Sequence, residues 1–269
     1  MAHEWRTGTV ASGGEDIYYE VVGDVSRPAV MLTHGAGGQH AIWFQQVPVF
    51  ADADYCVVTW DCRGFGNSSF RSGVHGCDAA VADMTAVLDA AGVGRVHLVG
   101  QSMGGWWVTA FALAHPDRTT TLTISNTVGG LWTDELTQHF ANWARSSAGF
   151  ATDVVGVHSA LGPTFCAANP ALAFLYQGMN TFHTPPMAEI GKALMGSHVK
   201  HADLDATGIP VQLITSDEDA LFPAPLVIDS VKRLRDARFV EIRLAGHSAY
   251  FERPDEYNRA VLEFTGAPR

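Results

Sequence analysis

The run "RVHLVGQSMGGWW", residues 95–107, decides how this chain folds. Val96, Leu98 and Val99 make a short apolar run that closes on Gly100. Ser102 follows, then Gly104 and Gly105, and "MGGWWVTAFALAHPD" (103–117) continues at helical spacing until Pro116 stops it. A buried strand that turns at once into a helix is the repeating unit of a parallel α/β sheet. The hydroxyl at the corner has two readings. It can cap the helix N-terminus, or it can be a nucleophile held in a strained strand-to-helix turn, as Gly-x-Ser-x-Gly requires.

Working outward, further runs have the same character: 28–34, 55–61, 120–126, 211–217 and 238–244. Most are near-continuous in apolar and β-branched residues. Strands covered by helices on both faces read this way. Helical patterns lie between several of them, such as 77–93 with its glycine stop at Gly92 or Gly94, and 255–264 closes the chain. At the start, 5–12 and 17–23 flank "GGED" and predict an antiparallel hairpin at the sheet edge. The expected fold is α/β, with a mostly parallel central sheet flanked by helices.

The alternation breaks between about 131 and 208. Three helical patterns occupy this stretch, 133–148, 169–182 and 185–198, the first opened by a Thr cap and the second by an Asn cap followed by proline. It is too long for a simple loop. The expected division is a core of 1–130 and 208–269 with a helical insertion of 131–207 after the sixth strand.

Composition bounds the partners. A net charge of -11 disfavours nucleic acid. No apolar stretch reaches the roughly 18–20 residues of a membrane helix. The first twenty residues carry no basic segment leading into an apolar core, so a cytoplasmic location without membrane attachment is expected. Cys56, Cys62, Cys77 and Cys166 are scattered and read as free thiols. His198 and His201 have no third ligand nearby, so no metal site is expected.

A serine hydroxyl needs a base to take its proton. "LITSDEDALFP" (213–223) places acids just past one strand, and "RLAGHSAYFERPDEYN" (243–258) places His247 just past the next. Parallel sheets build sites at the carboxyl ends of their strands. Ser102, the acids and His247 should therefore emerge at one edge.

Together with "LTHGAGG" (32–38), "DCRGFGNS" (61–68), "GQSMGG" (100–105), "SDEDALFP" (216–223) and "GHSAYFERP" (246–254), this order resembles the α/β-hydrolase superfamily over essentially the whole chain. The likeness is to the capped group of small esterases, enol-lactonases and carbon–carbon bond hydrolases. It implies an α/β-hydrolase fold with 131–207 as its lid. It implies Ser102 as nucleophile and His247 as general base, then general acid. Asp219 is the implied carboxylate, though Ser216 replaces the glycine that usually opens that turn, and Asp217 and Glu218 are rivals. The implied oxyanion donors are the backbone N–H groups of Ala36 and Met103, with Gly35, Gly37 and Gly38 admitting the substrate oxygen. No cofactor is needed.

The insertion is rich in aromatic residues and methionine. Gly37, Trp132, Trp143, Phe165 and Phe182 are the candidate pocket residues, and few basic groups are near them. The expected substrate is a small, largely apolar carboxylic ester or lactone. Rival readings are a vinylogous diketone cleaved at a carbon–carbon bond, or a hydrolase fold retained as a ligand receptor. Ser102 argues against epoxide and haloalkane hydrolysis, whose family members carry Asp there. His34, Asp61 and Arg63 read as structural groups tying loops together. Of Trp106 and Trp107, one should pack in the core and the other approach the pocket or cap. The chain could be a monomer or a homodimer.

Overall fold

A computed structural model describes residues 3–146, 154–182 and 185–266. Its strands are β1 (Trp5–Ser12), β2 (Glu15–Val22), β3 (Ala29–Thr33), β4 (Cys56–Trp60), β5 (Val96–Gln101), β6 (Thr119–Ser125), β7 (Val211–Ser216) and β8 (Ala237–Ile242). They form one sheet in the order β1-β2-β4-β3-β5-β6-β7-β8. The N-terminal hairpin is antiparallel and sits at the edge, β2 runs antiparallel to β4, and every later pairing is parallel.

The helices are α1 (Val47–Asp52), α2 (Cys77–Ala91), α3 (Met103–Ala114), α4 (Asp134–Ser146), α5 (Pro163–Ala168), α6 (Pro170–Met179), α7 (Met187–Met195), α8 (His201–Ala206), α9 (Ala224–Val231), α10 (Ala249–Glu252) and α11 (Pro254–Thr265). The strand alternation shows why the runs had to be continuously apolar. Met31, Val58, Leu98, Leu122 and Leu213 enter one core cluster with residues of α2, α3 and α9. Val30, Val57, Val99 and Ile214 enter the other with residues of α1 and α11. Side chains alternate across a strand, so both faces are buried.

Between β6 and β7 the described residues form helices α4 to α8 and no strand. Thr133 caps α4 as its sequence suggests, its Oγ1 accepting the Leu136 N–H at 3.2 Å. Asn169 precedes α6 without a side-chain cap bond, so Pro170 alone marks that start. Gly92 ends α2 in the left-handed conformation, φ 78°. No described helix is long and apolar enough to cross a membrane. All four cysteines are free thiols.

The glycines of the elbow have a steric cause. A Cβ on Gly104 would lie 2.7 Å from the His34 carbonyl oxygen and closer still to that of Thr33. One on Gly100 would reach 2.5 Å from Val108 Cγ2. Backbone crowds Gly104, so nothing soft can yield. Gly104→Ala is expected to lose about 2–3 kcal/mol of stability, read as a lowered urea midpoint with an unchanged m-value.

Candidate active site

Ser102 lies between β5 and α3 with φ 50° and ψ −121°. Positive φ is strained for a residue with a Cβ. The turn is fastened by the Ser102 N–H to the Ser125 carbonyl at 2.9 Å and by the Gly105 N–H to the Ser102 carbonyl at 2.9 Å. No side-chain cap bond joins Ser102 to α3. Its hydroxyl faces an imidazole, with Ser102 Oγ 2.8 Å from His247 Nε2. The helix-cap reading of the serine is thereby set aside.

His247 sits in the loop after β8 and is buried. Its Nδ1 lies 3.0 Å from Asp219 Oδ2. A carboxylate only accepts, so Nδ1 carries the proton and donates. Nε2 is then free to accept from the Ser102 hydroxyl. The Phe222 ring stacks against the imidazole, centroids 5.9 Å apart. Gln101 Nε2 donates to the His247 carbonyl at 2.8 Å, tying the loop to the end of β5.

Three consecutive acids diverge. Asp217 Oδ1 accepts the Leu244 N–H at 2.7 Å, and Glu218 Oε2 accepts the Thr164 N–H at 3.1 Å. Only Asp219 turns to His247. Its other oxygen accepts the N–H groups of Leu221 at 2.9 Å and Phe222 at 3.1 Å. Burial alone would raise its carboxyl. The charge of His247 and the hydrogen bonds from His247, Phe222 and Asn126 outweigh burial and hold it below the usual range.

Asn126 was not singled out by sequence. It directly follows β6 with φ 50°, and its Nδ2 donates to Ser216 Oγ at 2.7 Å and to Asp219 Oδ2 at 3.1 Å. Asn tolerates the left-handed region better than most residues. A signal existed in its place just past a central strand. Ser216, the departure from the usual turn glycine, is thus the acceptor for this asparagine.

The implied donors lie on two elements, Ala36 in the loop after β3 and Met103 at the start of α3. Met103 opens α3, so its N–H falls in the first turn, where helices supply no acceptor. The loop after β3 runs against the elbow closely enough that a Cβ on Gly35 would come 3.0 Å from that of Ser102. His34 holds this loop. Its Nε2 accepts the Cys62 N–H at 3.0 Å, so Nδ1 carries the proton and donates to the Gly35 carbonyl at 2.7 Å. Burial keeps the ring's pKa low and the ring neutral, the opposing charge of Asp61 notwithstanding. Asp61 Oδ1 in turn accepts the His40 N–H at 2.6 Å, and Arg63 pairs with Asp83 through two bonds of 2.7 Å. These groups are structural ties.

The pocket expectations divide. Trp132 packs on Trp106 and on Phe222, one ring away from His247. Both Trp106 and Trp107 are core residues, and Trp106 is the one that reaches toward the insertion. Gly37, φ 84°, lies beside the insertion, where a Cβ would collide with Asn180 Oδ1. Phe165 is buried against Phe251. Phe182 lies beyond the end of α6 and is 57% exposed. The Trp143 side chain lies outside the described residues. His198 faces Trp132, whereas His201 bonds Ser230 Oγ at 3.0 Å, so the two do not converge.

A family described as "alpha/beta hydrolase fold" matches residues 28–254. Among curated proteins, "Putative carbamate hydrolase RutD" of Azorhizobium caulinodans is 29% identical, over 95% of this chain and 97% of its own. Two solved structures show the same fold. A thermophilic esterase from Thermogutta terrifontis superposes with a TM-score of 0.77 at 23% identity, covering 96% of this chain and 97% of its own. The enol-lactonase from Burkholderia xenovorans gives 0.76 at 22%, covering 96% and 100%.

Proposed function

This chain belongs to the α/β-hydrolase family, and from that premise we propose that it cleaves a small, largely apolar carboxylic ester or lactone through an acyl-enzyme on Ser102. The observation that carries the reading is the continuous relay from Ser102 Oγ through His247 to Asp219, 2.8 and 3.0 Å. His247 Nε2 takes the hydroxyl proton as Oγ attacks the carbonyl carbon. The tetrahedral oxyanion is met by the N–H groups of Met103 and Ala36. It collapses as His247 returns the proton to the leaving alkoxide, and water repeats the steps on the acyl-enzyme.

The helices of 131–207 serve as a lid that excludes water. Residues 154–182 carry no Asp, Glu, Lys or Arg, and Phe222 borders the base with Trp132 packed behind it. Both features suit an uncharged, partly apolar acyl group. Ester hydrolysis is tested with p-nitrophenyl esters from acetate to decanoate and a matching set of lactones. The expected result is turnover with a defined length optimum. Inertness toward both sets would overturn this substrate class.

A second reading is favoured by Asn180. Its Nδ2 donates to the Tyr176 carbonyl at 2.8 Å, which turns Oδ1 toward the Gly37 loop. A fixed acceptor there suits a substrate N–H next to the carbonyl. The full-length relatives named for carbamate hydrolysis agree with that chemistry. Under it, N-methylcarbamate esters turn over faster than their N,N-dimethyl analogues, and Asn180→Ala narrows the difference.

A further inference from the structure

Glu252 is a buried carboxylate that the relay does not use. It closes the short helix α10, five residues after His247, and is 5% exposed. Its donors are peptide N–H groups. Oε2 accepts from Gly246 at 2.9 Å and from Gly162 at 2.9 Å, and Oε1 accepts from Ser248 at 3.2 Å. Gly246 and Ser248 are the residues on either side of His247. Gly162 belongs to the insertion, at the start of α5. One carboxylate therefore grips both flanks of the base and the segment laid over it.

The grip is tight enough to exclude side chains. A Cβ on Gly162 would stand 2.9 Å from the Gly246 nitrogen, and one on Gly246 would stand 2.9 Å from Gly162 Cα. Two further contacts join the same surfaces. Ser248 Oγ donates to the Tyr176 hydroxyl of α6 at 2.8 Å, and Glu218 accepts from the Thr164 N–H.

We propose that Glu252 is a positioning residue: its ionised carboxylate holds His247 in register with Ser102 while the insertion is seated, and protonation releases that hold. A carboxylate offers only acceptors to its three donors. Once protonated, it loses its charge and gains an O–H that none of these N–H groups can accept, so its hold on them weakens. Oε1 carries the single bond, so protonation there sacrifices least, and the bond it sacrifices is to the Ser248 amide beside the base. This rests on the relay reading, since the positioned group is the proposed base.

The switch falls in an accessible range. Burial, with the charge of Asp219 adding to it, raises the Glu252 carboxyl to about 7 despite the backbone bonds from Gly246, Gly162 and Ser248. The titratable and charged groups around it are Asp219 and Glu218 from the loop after β7, His247 and Arg253 on its own segment, and Tyr176, His158 and Cys166 from the insertion. Arg253 turns away, its Nε donating to the Leu244 carbonyl.

The test is the pH profile of kcat/KM between pH 5 and 9 for wild type, Glu252→Gln and Ser102→Ala. Protonation of Glu252 adds a fall to the wild-type profile around pH 7 that Glu252→Gln lacks, so the ratio of wild-type to variant kcat/KM shrinks as pH falls through 7. The variant's kcat at pH 8 drops about 10–100-fold, as expected for a base displaced by a fraction of an ångström to an ångström, while KM changes less. A merely structural role would lower the curve without changing its slope. In wild type, exchange of the Gly162, Gly246 and Ser248 amides, corrected for intrinsic rate, should lose protection as pH falls through 7. That measurement decides the matter if Glu252→Gln fails to fold. A wild-type to variant ratio that does not change with pH, or protection independent of pH, overturns the inference. Wild-type turnover by Ser102→Ala would instead overturn the relay reading itself.

Discussion

Ser102→Ala is expected to reduce kcat by about a million-fold, the usual scale for losing a nucleophile that works as a unit with its base, while the fold survives. The survival follows from what Ser102 does for stability. Its N–H and carbonyl bonds, to Ser125 and Gly105, are backbone bonds that alanine keeps. The bond lost is the one to His247, worth about 1 kcal/mol net. The backbone at φ 50° is itself strained, a cost of about 1–3 kcal/mol that a Cβ imposes and glycine relieves. Ser102→Gly should therefore be as inactive as the alanine variant and yet unfold at a higher temperature than it, by about 2–4 °C for each kcal/mol recovered. Thermal melts of the three proteins beside p-nitrophenyl ester assays read both effects. Should the glycine variant melt below the alanine one, the turn is not held against its own preference.

That strained corner was the most legible point in the chain, and the reason is physical. Both faces of β5 are buried, so its run is mostly apolar and its one interior polar side chain, His97, is paired with Thr121, while Gly100 and Gly104 are demanded by backbone contact rather than by chemistry. The strands were legible for the same reason. The short helices α1, α5, α8, α9 and α10 span four to eight residues each, too few to display a 3.6-residue period. The choice among Asp217, Glu218 and Asp219 was illegible from composition because a turn sends three neighbouring side chains to three different partners, Leu244, Thr164 and His247. Asn126, Gln101 and Glu252 escaped notice for a related reason. Each acts through a partner at least 90 residues away or through a backbone carbonyl or amide, and neither leaves a local pattern.

Asp219→Asn is expected to lower kcat about ten-thousand-fold, the scale seen when a base is left in the wrong tautomer, with KM little changed. Four donors surround the carboxylate. Oδ2 receives His247 Nδ1 and Asn126 Nδ2, and Oδ1 receives the N–H groups of Leu221 and Phe222. An amide has one acceptor oxygen and must aim its NH2 at one of these pairs. The peptide N–H groups cannot become acceptors, so the oxygen stays with Leu221 and Phe222 and the NH2 faces His247. The imidazole can adapt, by moving its proton from Nδ1 to Nε2. An Nε2 that already bears a proton cannot take one from Ser102. The loss should shrink as pH rises, because hydroxide then takes the Ser102 proton in place of His247, so the ratio of wild-type to variant kcat narrows above pH 9. Asn126→Ala probes the same oxygen from its other side. It removes a donor but leaves the tautomer intact, and should cost about tenfold or less, in keeping with one hydrogen bond of about 1–1.5 kcal/mol. If Asp219→Asn and Asn126→Ala proved equal in effect, the carboxylate's charge and orientation would matter only through packing, and the tautomer argument would fall.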